Sequence, residues 1–140
     1  MDAVTHVPTP TNETVLDYAP GSPERASLEV ALVELAATRH ELPHTIGGAR
    51  VTGKGERIEV RQPHAHRKVL GVTRGATTAD AGAAVDAAIA AAPAWRDLSF
   101  DDRAAILLKA ADLLAGPWRA RINAATMLGQ SKTADRKSVV

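Results

Sequence analysis

The sequence predicts a mixed α/β fold in which helices accompany a short layer of β-hairpin and strands, and we expect the domain to be incomplete. Apolar residues recur at helical spacing in four stretches, and short alternating runs typical of strands separate the first stretch from the second. Of the 140 residues, 45% are hydrophobic but only 3% are aromatic, so Ala, Val and Leu supply most of the apolar content. Such a composition forms helices readily but supports only a thin core.

Charge and composition exclude several classes of function. The chain has 17 Lys and Arg against 16 Asp and Glu, a formal charge of +1, so we expect no nucleic-acid partner and no membrane partner. The absence of cysteine excludes disulfides, thiolate metal sites and a cysteine nucleophile within this chain. The longest apolar run, residues 87–94, is too short for a bilayer core of roughly 30 Å. Residues 1–20 lack a signal-peptide pattern, so we expect a soluble cytoplasmic protein.

The first 21 residues are predicted to form an extended N-terminal arm. Pro8, Pro10 and Pro20 lie among Thr, Asn and Glu residues, a composition that favours extended or mobile chain over packed structure.

A first helix is predicted over residues 23–39. Ser22 is suited to the N-cap, Pro23 to the first helical position, and Glu24 to the first turn, where the helix dipole favours negative charge. Pro43 follows the helix and prevents its continuation. The inward-facing residues are expected to be Leu28, Ala31, Leu32 and Leu35.

The next segment is predicted to form strands. Gly47 and Gly48 tolerate positive φ and are suited to a two-residue turn joining strands 44–46 and 49–51. Two further strands are expected over residues 57–61 and 68–73, with a turn at 62–64 between them.

Thr77 is predicted to start a second helix, because Asp80 follows three residues later in a pattern that resembles a capping box. The helix body is expected over residues 81–92, and Pro93 is expected to end it. Trp95 then follows as a bulky anchor.

Two more helices are predicted in the last third of the chain. Ser99 is suited to cap the third helix, with Asp101 and Asp102 in its first turn, and Gly116 and Pro117 are expected to end it. A fourth helix is expected over residues 117–128, with Gly129 as its C-terminal cap. The expected apolar faces are Ala105, Ile106, Leu108, Ala111, Leu113 and Leu114 on the third helix, and Trp118, Ile122, Ala125 and Met127 or Leu128 on the fourth.

The histidines do not form a convincing metal site. His64 and His66 are two residues apart, with His40 and His44 upstream, and neutral imidazoles could bind a metal from one strand face. Without a cysteine or an acidic ligand at a fixed short spacing, surface turn histidines are the favoured interpretation.

Other candidate ligand sites also have simpler interpretations. Gly47 and Gly48 could cradle a phosphate, but a hairpin turn is favoured. Residues 129–133 lack the glycine that a phosphate loop requires directly before its lysine. Arg103 could bind an anionic substrate, but pairing with Asp101, Asp102 or a partner elsewhere in a larger enzyme is favoured. Packing is likewise favoured over ligand stacking for both tryptophans, Trp95 and Trp118.

The mildly basic end of the chain lacks the interleaved aromatic residues of a nucleic-acid site. Its cations are Arg119, Arg121, Lys132, Arg136 and Lys137. We therefore assign no catalytic, cofactor-binding or metal-binding residue to this chain.

The order of these motifs resembles the N-terminal part of an aldehyde dehydrogenase. The resemblance covers residues 42–133 and depends on the hairpin at 46–48, the alanine-rich helix with Ala-Val-Asp-Ala-Ala at 84–88, Trp95, and the run Leu-Leu-Lys-Ala-Ala-Asp-Leu-Leu at 107–114. Within that superfamily, residues 17–25 and 124–133 are similar to the 1-pyrroline-5-carboxylate dehydrogenases, also called L-glutamate γ-semialdehyde dehydrogenases. The match covers most of this chain but only about the first quarter of a family member.

The resemblance implies an enzyme of proline catabolism that oxidises glutamate γ-semialdehyde to glutamate with NAD. Family members use a cysteine thiolate, a glutamate-activated water and a dinucleotide-binding loop, all of which lie beyond the part of the family represented here. Residues 22–133 therefore correspond to scaffold around the cofactor domain, and we expect this fragment to bind no NAD and to be inactive. The parent is expected to be a homo-oligomer. Three alternatives remain: another aldehyde dehydrogenase that acts on a different semialdehyde, the dehydrogenase module of a fused proline-oxidising protein, and a non-catalytic helical interaction module.

The last residues, 134–140, depart from the family pattern. Asp-Arg-Lys-Ser-Val-Val is the translation of GAT CGG AAG AGC GTC GTG, the start of a widely used sequencing-library adapter. We hypothesise that residues 135–140 are read-through of that adapter, with a frameshift or a short basic tail as the alternative. Resequencing across the codon for Ala134 tests this hypothesis, and a genomic stop codon after Val140 would contradict it.

Overall fold

The computed structural model describes residues 6–134, which form four helices and five short strands of a mixed α/β fold. The predicted fold class is therefore confirmed. The hypothesis about residues 135–140 lies outside the described residues. In chain order the elements are α1 Pro23–Ala37, β1 His40–Glu41, β2 His44–Ile46, β3 Ala49–Val51, β4 Arg57–Gln62, β5 Ala65–Arg74, α2 Thr78–Asp97, α3 Phe100–Ala115 and α4 Arg119–Gln130.

The predicted start of α1 is confirmed, but its end is not. The Ser22 side chain accepts a hydrogen bond from the backbone N–H of Arg25 at 3.3 Å, and a proline occupies the first helical turn. The helix ends at Ala37, two residues before the predicted end. The reason is that the chain becomes extended at Thr38 and then forms β1, which pairs in parallel with β5.

The core lies between α1, α4 and the end of the N-terminal segment. Its buried apolar residues are Tyr18, Leu28, Ala31 and Ala124, and partly buried side chains such as Leu32 and Leu35 pack against them. Asn123 Nδ2 donates to the Tyr18 hydroxyl at 3.0 Å, and Arg119 Nη1 donates to the Thr14 carbonyl at 2.8 Å. Residues 6–21 contain no helix or strand, yet Tyr18 is buried on α4, which their composition did not predict.

The strands form two small sheets, with order β1-β5-β4 in one and β2-β3 in the other. The hairpin at Gly47 and Gly48 is confirmed, since both residues have positive φ and join β2 to β3. β4 and β5 are antiparallel, and both are longer than predicted. β1 was not predicted because two residues are too few to show a period. It approaches β5 so closely that a Cβ at Gly71 would lie 2.5 Å from the His40 carbonyl oxygen.

The prediction that Pro93 ends the second helix is wrong. α2 begins after Thr77 with the predicted capping box, but it continues through Pro93 to Asp97 and includes Trp95. Pro93 cannot donate to the carbonyl of Ile89, yet this stretch of α2 is exposed, so water can hydrogen-bond to the released carbonyl. Exposure therefore removes much of the penalty that would otherwise end the helix.

The Ser99 cap of α3 is confirmed, because its side chain accepts from the N–H of Asp102 at 3.1 Å. α4 differs from prediction at both ends. It starts at Arg119, after a turn at residues 116–118, and it continues through Gly129 to Gln130. Ser131, not Gly129, adopts the left-handed conformation with φ of 55°, and its hydroxyl lies 2.9 Å from His64 Nδ1. α4 therefore ends at a residue that also contacts His64, 67 positions earlier in the chain.

The predicted apolar faces of α3 and α4 are only partly correct. On α4 the buried residues are Ala124 and Leu128, whereas Trp118 is 54% exposed and Ala125 is also exposed. α3 has no buried residue, and the only buried residue of α2 is Asp80. Within residues 6–134, no helix is both long enough and apolar enough to span a bilayer.

Candidate functional site

A buried carboxylate at the start of α2 connects this helix to the loop between β3 and β4. Asp80 Oδ2 accepts hydrogen bonds from the Thr77 N–H at 2.8 Å, the Thr77 hydroxyl at 2.8 Å and the Lys54 N–H at 3.2 Å. The Asp80 N–H donates back to the Thr77 hydroxyl at 3.2 Å, which completes the capping box. The capping box was predicted from the sequence, whereas the bond from Lys54 was not.

The hydrogen bonds to Asp80 also determine its ionisation. The backbone N–H of Thr77, followed by the Thr77 hydroxyl and the Lys54 N–H, lowers the pKa of Asp80 to about 2. A general acid or base works best with a pKa close to the working pH. Asp80 is therefore a structural carboxylate and not a candidate catalytic group.

A second polar cluster lies on β4, where Glu59 is surrounded by three arginines. Glu59 Oε1 accepts from Arg39 Nη2 at 3.2 Å and from Arg57 Nη1 at 3.1 Å, and Oε2 accepts from Arg61 Nη2. The hydrogen bond from Arg57 is the main cause that lowers the pKa of Glu59, and the arginine charges act in the same direction against partial burial. Because the three arginines are about half exposed, the cluster adds little stability, but it links the end of α1 to β4.

The structure does not bring the four histidines considered above into one site. His40 Nε2 lies 3.2 Å from the Leu35 carbonyl oxygen, and His44 Nε2 lies 3.0 Å from that of Arg74. The described part of the chain contains no group of three or more side chains placed to bind a metal. His64 and Ser131 are within hydrogen-bonding distance, but within residues 6–134 no carboxylate bonds to His64, as a catalytic triad would require.

Arg103 forms no ion pair with Asp101 or Asp102, whereas the alternative partner elsewhere in a larger enzyme stays a prediction. Its Nε atom is buried and has no hydrogen-bond partner among the described residues. Asp101 instead accepts hydrogen bonds from the His6 N–H, and Asp102 from the Ser99 hydroxyl. Trp95 is 42% exposed, so neither it nor Trp118 is a buried anchor in this structure.

Two clefts lie near the three-stranded sheet. One, of about 180 Å³, is almost entirely apolar and lies where the sheet meets α1 and α4. It is lined by Leu35, His40, Leu42, Val60, Leu70, Ala125, Leu128 and Gly129. The other, of about 220 Å³, is more polar and is lined by Glu41, Leu42, Pro43, Thr52, Gly53, Arg57, Val72, Thr73 and Arg74. Neither set of lining residues pairs a nucleophile with a general base, so neither cleft is an active site as it stands.

The described residues also do not fit a dinucleotide. The N-termini of α1, α2 and α3 are capped by Ser22, Thr77 and Ser99, and each has an acidic residue in its first turn. Negative charge there disfavours a phosphate. α4 follows a turn from α3 and not the glycine-rich strand end of a dinucleotide fingerprint, and Gly47 and Gly48 lie in a hairpin.

Comparison with known proteins assigns the chain to a family. Residues 51–138 match the aldehyde dehydrogenase family, so the chain belongs to that family. Over most of its length it is similar to delta-1-pyrroline-5-carboxylate dehydrogenases, as the resemblance predicted.

Three relatives show the extent of this similarity. The Agaricus bisporus enzyme is 40% identical over 127 residues, which are 90% of this chain and 23% of the relative. The human mitochondrial enzyme is 39% identical over 122 residues, 87% of this chain and 22% of the relative. A crystal structure of the Mycobacterium tuberculosis enzyme, bound with NAD and cobalamin, is 59% identical with a TM-score of 0.90, and the match covers 95% of this chain and 25% of that one. The chain thus spans about a quarter of these relatives and has the N-terminal portion of an aldehyde dehydrogenase fold.

The Glu59 cluster is the main polar feature that sequence reasoning missed. Its signal is the alternation Arg57, Glu59, Arg61, which places all three side chains on one face of a strand. Arg39 could not have been added from sequence alone, because its position depends on where α1 ends.

Proposed function

We propose that this chain is the N-terminal part of an NAD-dependent L-glutamate γ-semialdehyde dehydrogenase, which oxidises the aldehyde to a carboxylate on the route from proline to glutamate. One observation carries the proposal: 95% of the chain superposes on the M. tuberculosis delta-pyrroline-5-carboxylate dehydrogenase with a TM-score of 0.90 and 59% identity. NAD in that crystal structure supports NAD as the cofactor of the parent enzyme.

The chain's own contribution is structural. It contains no cysteine to add to an aldehyde carbonyl, and its described residues do not fit a dinucleotide. The packed core of α1 and α4 and the two small sheets provide a scaffold for the catalytic part of the parent. We therefore expect the isolated chain to form no NADH from NAD and glutamate γ-semialdehyde.

The decisive experiment begins with the nucleotide sequence downstream of the codon for Ala134. We expect it to encode a glycine-rich nucleotide-binding loop and a cysteine-containing active site. The complete enzyme should then oxidise glutamate γ-semialdehyde with a kcat/KM at least tenfold higher than for succinate semialdehyde, and it should prefer NAD to NADP. Size-exclusion chromatography of the same enzyme tests the proposed homo-oligomer.

Three results would contradict the proposal. A preference for another semialdehyde would favour a different aldehyde dehydrogenase. Turnover by the isolated chain that survives removal of contaminating dehydrogenases would disprove its proposed inactivity. A downstream sequence without a catalytic domain would favour the helical interaction module, for which the exposed apolar residues of α2 and α3 are the specific observation.

A further inference from the structure

Two arginines lie directly opposite each other where β4 begins and β5 ends. Arg57 and Arg74 are partners in the antiparallel ladder, so their side chains leave the sheet on the same face with Cβ atoms about 5 Å apart. Like charges in directly opposed positions destabilise a pair of strands. Both residues line the more polar cleft, of about 220 Å³, beside the three-stranded sheet. The cleft therefore has two guanidinium groups in its wall.

The described structure neutralises these two charges only in part. Arg57 Nη1 donates to Glu59 Oε1 at 3.1 Å, but Glu59 also accepts from two further arginines, so one carboxylate serves three cations. Arg74 Nη1 donates to the Gly55 carbonyl at 3.3 Å, and Arg74 forms no ion pair within residues 6–134. A carbonyl oxygen accepts a hydrogen bond without cancelling the charge of the donor. Arg74 therefore brings an uncompensated positive charge to the cleft.

The loop between β3 and β4, residues 52–56, also lines the cleft and is held in a fixed position. The Gly55 N–H donates to the Gly75 carbonyl at 2.9 Å, and the Gly75 N–H donates back to the loop at 2.8 Å. A Cβ at Gly53 would lie 2.6 Å from the Gly75 carbonyl oxygen, so the loop approaches the end of β5 as closely as a glycine permits. The loop contributes the exposed hydroxyl of Thr52 to the lining. Donors that are already held in place lose less entropy when a ligand binds.

The donors and the size of the cleft suit a small oxoanion. A guanidinium group donates two parallel hydrogen bonds to an oxoanion, and these charge-assisted bonds are stronger than neutral ones. The cleft is smaller than the roughly 300 Å³ at which pockets for drug-sized ligands begin. Glu41 also lines the cleft and repels any anion, but the two arginines outweigh it. The net positive field attracts a doubly charged anion more strongly than a singly charged one.

We propose that the cleft between Arg57 and Arg74 binds a doubly charged oxoanion of the phosphate class, which accepts hydrogen bonds from both guanidinium groups and from the Thr52 hydroxyl. The anion relieves the repulsion between the two opposed arginines and supplies the negative charge that Arg74 lacks. All of these groups belong to this chain, so the site is independent of the proposed dehydrogenase activity. The ligand is either free phosphate or the phosphate group of a monoester, since both present the same kind of oxygen atoms.

Isothermal titration calorimetry of the 140-residue chain with inorganic phosphate tests the proposal. The titrations are done at constant ionic strength and at a pH of about 8, where phosphate carries close to two negative charges. Arg74→Gln removes a donor of the cleft, and the matched control Arg67→Gln removes the same charge from an exposed position of β5 outside the cleft. Glu41→Gln removes the opposing carboxylate and is an independent probe.

We expect Arg74→Gln to raise the Kd for phosphate about tenfold, because a hydrogen bond to a charged group is lost, and Arg67→Gln to change it less than about twofold. Glu41→Gln should lower the Kd about threefold, because it removes a repulsive charge, and a loss of folding could not produce this result. Equal effects of Arg74→Gln and Arg67→Gln would overturn the proposal, since they would indicate general attraction of anions. So would the absence of binding up to about 20 mM phosphate. If Arg74→Gln does not fold, an unchanged Kd in both Thr52→Val and Glu41→Gln would overturn the proposal.

Two further ligands distinguish the source and the charge of the anion. A Kd for glycerol 2-phosphate at or below that for inorganic phosphate would show that the cleft accepts a phosphorylated organic ligand, whereas a higher Kd would assign the cleft to the free ion. Either result supports a phosphate site. Acetate provides the singly charged comparison, and an affinity for acetate equal to that for phosphate would overturn the assignment to a doubly charged anion.

Discussion

Two regions of this molecule are built from equally clear helix signals but differ in how they are packed. The packed half comprises residues 6–74 and 119–134 and contains all the buried apolar residues of the described structure. The α2–α3 pair, residues 78–115, has well-formed caps at Thr77 and Ser99, yet its only buried residue is Asp80. Capping thus fixes where a helix begins, whereas apolar burial requires a partner, and the described chain supplies that partner only to the packed half.

The largest expected effect is in the packed half, at Leu28. Its residue is 2% exposed in the core between α1 and α4. Leu28→Ala should lower the free energy of unfolding by about 3 kcal/mol, because it removes buried methyl groups and leaves a cavity. Urea unfolding followed by circular dichroism measures this loss.

A matched control for Leu28→Ala lies on the same helix. Val33 is 71% exposed, so Val33→Ala should change the unfolding free energy by less than about 0.5 kcal/mol. Equal losses for the two variants would show that the packed half has no specific core and would remove the contrast with the α2–α3 pair.

A smaller loss is expected at the contact between the N-terminal segment and α4. Tyr18→Phe removes the hydroxyl that accepts from Asn123 Nδ2, and it should cost about 1 kcal/mol of unfolding free energy. A double-mutant cycle with Asn123→Ala isolates the coupling energy of this bond, which should be about 1 kcal/mol, because Tyr18→Phe should cost little once Asn123 has been replaced. Additive losses would indicate that the two side chains do not interact.

The starts of α1, α2 and α3 were predictable from the sequence because they depend on neighbouring residues, whereas α4 has no side-chain cap and starts two residues later than predicted. Ser22, Thr77 and Ser99 each cap the helix that follows them, as predicted. The ends of helices depended on distant contacts. α1 ends early because the chain after Ala37 joins β5, and α4 ends late, at Gln130, directly before Ser131, which contacts His64.

In the polar clusters, too, contacts between neighbouring residues were predictable from the sequence and contacts between distant residues were not. The bond between Thr77 and Asp80 is local and was predicted, whereas the contribution of Lys54 spans 26 residues and was not. The pairing of Arg39 with Glu59 likewise depends on the sheet bringing two separate elements together. The sequence therefore predicted the capping box of α2 but not the hydrogen bond from Lys54, which connects Asp80 to the loop between β3 and β4.

The stability that the hydrogen bonds to Asp80 contribute should decrease in acid. The pKa of Asp80 is lowered to about 2 in the folded protein, below the 3.8 of an unperturbed aspartate. The folded state thus holds this proton less tightly than the unfolded state does, so the stabilisation is complete above pH about 4 and is lost as the pH falls towards 2. Glu59 acts in the same direction, since its pKa is also lowered.

Asp80→Asn should therefore reduce the fall in melting temperature between pH 5 and pH 2.5. The control is Asp86→Asn on the same helix, where the carboxylate is exposed and has no hydrogen bond within the described residues. This control should retain the wild-type pH dependence. An unchanged pH dependence in Asp80→Asn would show that the capping box does not contribute to stability.

The smallest expected effect is on the exposed side of α2. Ile89 is 65% exposed, so Ile89→Ala should change the unfolding free energy of the isolated chain by less than about 0.5 kcal/mol. The same substitution should reduce the fluorescence of a bound hydrophobic dye, because it removes exposed apolar surface that such dyes bind. Leu28→Ala is expected to have the opposite pattern, with a large loss of stability and no reduction in dye binding. A loss above about 1.5 kcal/mol for Ile89→Ala would mean that α2 is packed in solution, and it would contradict the difference in packing between the two regions.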